Sequence, residues 1–124
     1  MQNYFIGAEG DQGSLDARKR RRIPFFCKGK IVSENRTVEV TIQNLSLSGL
    51  RFQCAAPFDL GKRITLMVLG EEKGAPFQEK VSGRITAVNR GAGEPSYGLE
   101  FEATLTPDRQ PHLSASLSGV DGRR

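Results

Sequence analysis

Tryptophan is absent from this 124-residue chain, histidine occurs once and cysteine only twice. A lone His112 and two separated thiols, Cys27 and Cys54 with no CxxC spacing, are too few for a zinc site. Isolated cysteines in apolar surroundings read as buried or near-core thiols, not as a disulfide framework. No stretch approaches the roughly 18–20 apolar residues of a membrane span, and Met1 to Gly13 lacks the apolar run of a signal sequence. The expected location is therefore the cytosol. Glu71, Glu72 and Glu79 form no paired-carboxylate arrangement, and there is neither a P-loop nor a Ser/His/Asp order. With no nucleophile and base to pair, an enzyme is not expected. Seven Phe and two Tyr provide no evident row of exposed rings, the platform on which single-stranded nucleic acid usually stacks.

What is present is alternation. Val38, Val40 and Ile42 alternate with Glu39, Thr41 and Gln43; Leu50, Phe52 and Cys54 alternate with Arg51 and Gln53. Ile64, Leu66 and Val68 share a face, as do Val81, Gly83, Ile85 and Ala87, and Tyr97, Leu99 and Phe101. A period of two over many short runs argues for half-buried antiparallel strands. Turn residues separate them at Ser33 to Asn35, Pro57 to Gly61, Gly70 to Pro76 and Gly91 to Pro95. With the run from Ile23 to Val32 the pattern predicts six strands. One apolar face on each calls for closure, so the expected fold is all-β, a six-stranded antiparallel barrel. Residues 1–16 read as a flexible N-terminal segment, 17–103 as the barrel domain with an arginine loop at 18–22, and 104–124 as a polar, disordered tail without a helix.

Two segments carry chemistry. The net charge of +4 has a focus in the run Arg18-Lys19-Arg20-Arg21-Arg22, just ahead of the first strand. Taken alone it reads equally as a solvated basic loop or a nonspecific nucleic-acid patch. Four of these five cations are arginines, which suits bidentate contacts to phosphate or to a guanine Hoogsteen edge. The second segment is Asn44-Leu45-Ser46-Leu47-Ser48-Gly49, between the second and third strands. Its residues are ordinary turn formers, yet strand alternation puts Asn44, Ser46 and Ser48 on one polar face, followed by a glycine that permits close approach. A single hairpin separates the segments, so they are expected to be neighbours in space.

In this order and spacing, RxxxR at Arg18 and Arg22 followed by NxSxxG at Asn44, Ser46 and Gly49, the chain resembles the PilZ domain family. Tyr97-Gly98-Leu99-Glu100-Phe101 is similar to the family's closing strand. The resemblance spans about Ala17 to Glu102 and implies a six-stranded, split-barrel-type domain that binds cyclic di-GMP and uses no cofactor. By that resemblance Arg18 and Arg22 grip phosphates and guanine edges, Asn44 and Ser46 hydrogen-bond a guanine, and Gly49 keeps the surface open. Arg20 and Arg21 offer other frames, with Arg21 a further candidate ligand contact. In this family the position just before the motif is linked to whether one or two ligand molecules bind; Ala17 there supplies no extra cation, which favours one, unless Arg20 or Arg21 compensates. The functional expectation is an adaptor: the arginine loop orders over the ligand and changes the surface offered to a downstream protein, with Tyr4-Phe5-Ile6 a candidate contact. The alternatives are a basic barrel that binds nucleic acid, the less favoured partner, and a PilZ-like interaction module without a ligand. Arg51 and Arg84 read as solvent-facing.

Overall fold

The computed structural model describes residues 21–33 and 36–122. The basic run up to Arg20, including Arg18, lies outside the described residues, as do Ala17, Tyr4-Phe5-Ile6 and the connection Glu34-Asn35. Six strands and a helix follow in order: β1 (Ile23–Ser33), β2 (Arg36–Leu45), β3 (Gly49–Gln53), β4 (Arg63–Glu72), β5 (Ala75–Asn89), β6 (Ser96–Phe101) and α1 (Pro111–Gly122). The strands close into an antiparallel barrel in the order β1-β2-β3-β6-β5-β4, with β1 paired back onto β4.

The alternation decides which side chains fill it. Ile31, Val40, Ile42, Leu50, Phe52, Leu66, Val68, Ile85, Tyr97 and Leu99 all point into one buried cluster. Each fully buried side chain of this size stabilises by about 1.5–3 kcal/mol relative to exposure. Phe52 stacks on Tyr97 at 5.3 Å between ring centres, and Phe58 meets both rings edge-on. The buried Tyr97 hydroxyl donates to the Ala56 carbonyl at 3.1 Å and accepts from the Phe58 amide at 3.2 Å, so its burial leaves no polar atom unpaired. Cys54 is buried and Cys27 half-buried, both as free thiols.

Two features differ from the sequence reading. The β4–β5 hairpin is longer than the expected Gly70–Pro76 turn. Glu72 pairs directly with Ala75, leaving Lys73 and Gly74 as the connection, with φ of 52° and 83°. Two positive φ values in a two-residue loop match the right-handed twist of the flanking strands, so the ladder runs to its tip.

The segment after Ala103, expected as a disordered tail, contains α1. Its Ser-rich composition hides an apolar stripe: Leu113 and Leu117 are one helical turn apart, and both join the core together with Leu105. Pro111 occupies the first helical position, where its missing N–H costs nothing. The cap comes from another element. The buried Glu79 carboxylate of β5 accepts the His112 amide at 2.6 Å and the Leu113 amide at 2.9 Å, and also meets His112 Nδ1 at 2.6 Å. Unbonded helix-start amides thus find a carboxylate at the positive end of the helix dipole. The His112 ring stacks on Phe77 at 4.2 Å, and the Gln110 side chain donates to the Lys80 carbonyl at 3.1 Å.

Glu79→Ala leaves two amides without their acceptor, and we expect urea unfolding followed by circular dichroism to read a loss of about 1–3 kcal/mol. Burial pushes the Cys27 thiol from the ordinary 9.0 up to about 11. A raised pKa keeps the thiol neutral, so iodoacetamide should label Cys27 slowly at pH 8 and faster as the pH climbs towards 11.

Candidate functional site

The β1–β2 register determines what faces what. Ile23 pairs with Leu45 and Pro24 with Asn44, so the chain enters β1 beside the end of β2. Arg22, exposed and one residue ahead of β1, donates from Nη1 to Asn44 Oδ1 at 2.9 Å. The second arginine of the basic run and the first residue of the Asn44–Gly49 motif are therefore in direct contact. Partial desolvation, and then repulsion from Arg51, draw the Arg22 pKa below its usual value. Arg21 is exposed beside it.

The remaining motif residues do not form the open polar face that alternation suggested. β2 ends at Leu45, which is in the core, and the chain turns there. Ser46 is 1% exposed. Its hydroxyl accepts from the amides of Gly49 at 3.1 Å and Ser48 at 3.3 Å, and donates to the Gly49 carbonyl at 3.2 Å. Ser46 thus ties the turn. Gly49 is equally structural: a Cβ there would lie 2.4 Å from the Leu99 carbonyl oxygen of β6. The turn is also anchored from behind, since the Ser48 carbonyl accepts the Phe101 amide at 2.8 Å and the Leu47 carbonyl accepts the Leu105 amide at 3.0 Å. Asn44 is the half-buried member of the motif that presents its side chain to Arg22.

Sequence reasoning missed Arg51. β3 places it opposite Asn44 on one side and Gly98 of β6 on the other. Its Nη1 donates to Ser96 Oγ at 3.0 Å. Nearby, the Gln53 amide donates to the Glu94 carbonyl at 3.0 Å and meets Gln43 at 3.5 Å. The signal was available by counting outward from the Asn44–Gly49 turn, which pairs Asn44 with Arg51 once β2 and β3 are taken as a hairpin.

The result is a ledge on the outer wall of the barrel, with two guanidinium groups and several neutral amides. Such a surface suits an anion that also carries hydrogen-bonding rings. A hollow of about 720 Å³, lined in part by Phe25, Phe26, Leu69, Phe77 and Ser116, contains none of Arg22, Asn44 or Arg51. That hollow and the ledge are therefore separate places on the barrel. Among the described residues no group of three or more His, Cys, Asp or Glu is placed to hold a metal. No described helix is long and apolar enough to cross a membrane.

Comparison with known proteins agrees with this architecture. The family model described as PilZ domain matches residues 16–119, a span that runs past β6 into α1. The Bacillus subtilis inhibitor of motility MotI/DgrA superposes with a TM-score of 0.66 at 18% identity, over 83% of this chain. This chain spans only about half of that protein, 51%. The PilZ domain of Escherichia coli YcgR, solved with c-di-GMP, gives 0.61 at 17% identity, covering 83% of this chain and 92% of that one. At these identities the likeness concerns the fold. No curated protein sequence matches.

Two glycine substitutions separate close packing from simple loss of flexibility. Gly49→Ala drives a Cβ into the Leu99 carbonyl, whereas a Cβ on Gly91 meets nothing within 4 Å. Thermal unfolding should therefore show a clear drop in midpoint for Gly49→Ala and almost none for Gly91→Ala.

Proposed function

The chain belongs to the PilZ domain family, and from that premise we propose that it is a cyclic di-GMP receptor that acts as an adaptor and performs no chemistry of its own. The observation that carries this reading is the Arg22–Asn44 hydrogen bond, which unites the basic run with the Asn44–Gly49 motif at one place on the barrel wall. The ligand offers two phosphate charges and two guanines, matching guanidinium forks beside an amide. The PilZ domain of YcgR, solved with that ligand on a similar barrel, supports the assignment.

In this reading Arg18 and Arg22 hold phosphates and guanine edges, Arg21 adds positive charge, and Asn44 hydrogen-bonds a guanine. Ser46 and Gly49 serve the ligand through the turn they shape. Ligand binding offsets the repulsion between Arg22 and Arg51, and the segment 18–22 settles over the ledge. The surface offered to a downstream protein changes as it does so.

Calorimetry with cyclic di-GMP tests the reading. The intact protein should bind, and Arg22→Ala should bind more weakly by about 10- to 150-fold, the loss of one charge-assisted contact. Unchanged affinity in Arg22→Ala overturns the assignment. So does an intact protein that ignores cyclic di-GMP, whether it then binds a random oligonucleotide in a salt-dependent way or binds neither.

A further inference from the structure

Arg51 sits where a base-reading residue is needed, and no motif accounts for it. It is half-buried on β3, directly across from Asn44, and close enough to Arg22 to depress that residue's pKa. The ion pairs of the described residues join Arg63 to Glu102 and His112 to Glu72 and Glu79, so among these residues neither guanidinium of the ledge has a carboxylate partner. Two like charges without a carboxylate partner among the described residues disfavour each other until an electron-rich group arrives.

The surroundings of the two arginines differ. Arg22 is exposed at the chain entry, next to the basic run. Arg51 is tethered by one nitrogen to Ser96 Oγ, which fixes its plane and leaves the other donors of the fork available. Across from it lies the neutral side chain of Asn44, and Gln53, two residues along β3 and so on the same face, is bonded to Gln43. Its partner position on β6 is Gly98, which places no side chain in its way. A cation flanked by amides, which both donate and accept, matches a nucleobase edge better than a phosphate. Guanine presents two acceptors, O6 and N7, at the spacing of an arginine fork; adenine presents N7 beside an amino donor, which a guanidinium repels.

Resting on the reading of this ledge as a cyclic di-GMP site, we infer that Arg51 is its specificity-determining residue, reading the O6/N7 edge of a bound guanine. Arg22 and Asn44 keep the phosphate and guanine contacts of that reading, and Arg51 adds the fork that most strongly separates guanine from adenine.

The test compares cyclic di-GMP with cyclic di-AMP, which share the phosphate ring and differ in the base. Calorimetry is run on the intact protein, Arg51→Ala and Arg51→Lys, with thermal unfolding to confirm that each variant is folded. Both substitutions should weaken cyclic di-GMP binding by roughly 10- to 100-fold. Their weak affinity for cyclic di-AMP should stay within about threefold of the intact protein's, so that discrimination collapses. Lys keeps the charge without the fork, so it should rescue little, and it stands in if the alanine variant fails to fold. Unchanged cyclic di-GMP affinity in both variants overturns the role of Arg51 alone. Equal losses for both ligands overturn it too, because they mark a phosphate contact. An intact protein that binds neither ligand removes the receptor reading and this inference together.

Discussion

Closing a ring of six short strands leaves no freedom in register. Every inward position must be apolar and every strand must find two neighbours, so a shift of one residue would turn a whole face of the core to water. That constraint, with the bulge beside Asn44, positions the outer ledge as well as the core. Once Leu45, Leu50, Phe52 and Leu99 point inward, with a bulge between Ile42 and Asn44 absorbing one residue of β2, Asn44 and Arg51 fall on the outer wall at paired positions, and Gly98 follows on β6. The site is a by-product of packing in position, though its residue types are not dictated by packing.

Those residue types make the ledge electrostatically incomplete by itself. Two guanidinium groups lie close together in partly desolvated surroundings, joined to amide and hydroxyl acceptors that are neutral. The barrel, whose core is built from Tyr97, Phe52 and their aliphatic neighbours, can hold this arrangement because its stability draws on burial elsewhere. The apolar core and the charged ledge are therefore divided between the two faces of the same strands.

Much of this was legible in the sequence, and the reasons for the exceptions are specific. The strands were visible because alternation is local. The meeting of Arg22 with Asn44 was visible because one hairpin separates them. Ser46 was misplaced because alternation was extended through a turn: the strand ends at Leu45, and the serine hydroxyl has backbone partners within three residues. The helix was hidden because two of the groups that stabilise its start, Glu79 and Phe77, sit on β5 more than thirty residues upstream. Arg51 looked like any outward arginine, since its place beside Asn44 and its bond to Ser96 depend on neighbours across the sheet.

The backbone bonds behind the Ser46–Gly49 turn bear on where this domain can be cut. The Leu47 carbonyl is held by the amide of Leu105, a residue beyond the last strand, and Leu105, Leu113 and Leu117 complete the core. A fragment trimmed after Ala103 would retain all six strands and every residue of the ledge. It would also strand the Leu47 carbonyl of the Ser46–Gly49 turn and remove three leucines from the core. The segment beyond the last strand is thus part of the core that the barrel closes around.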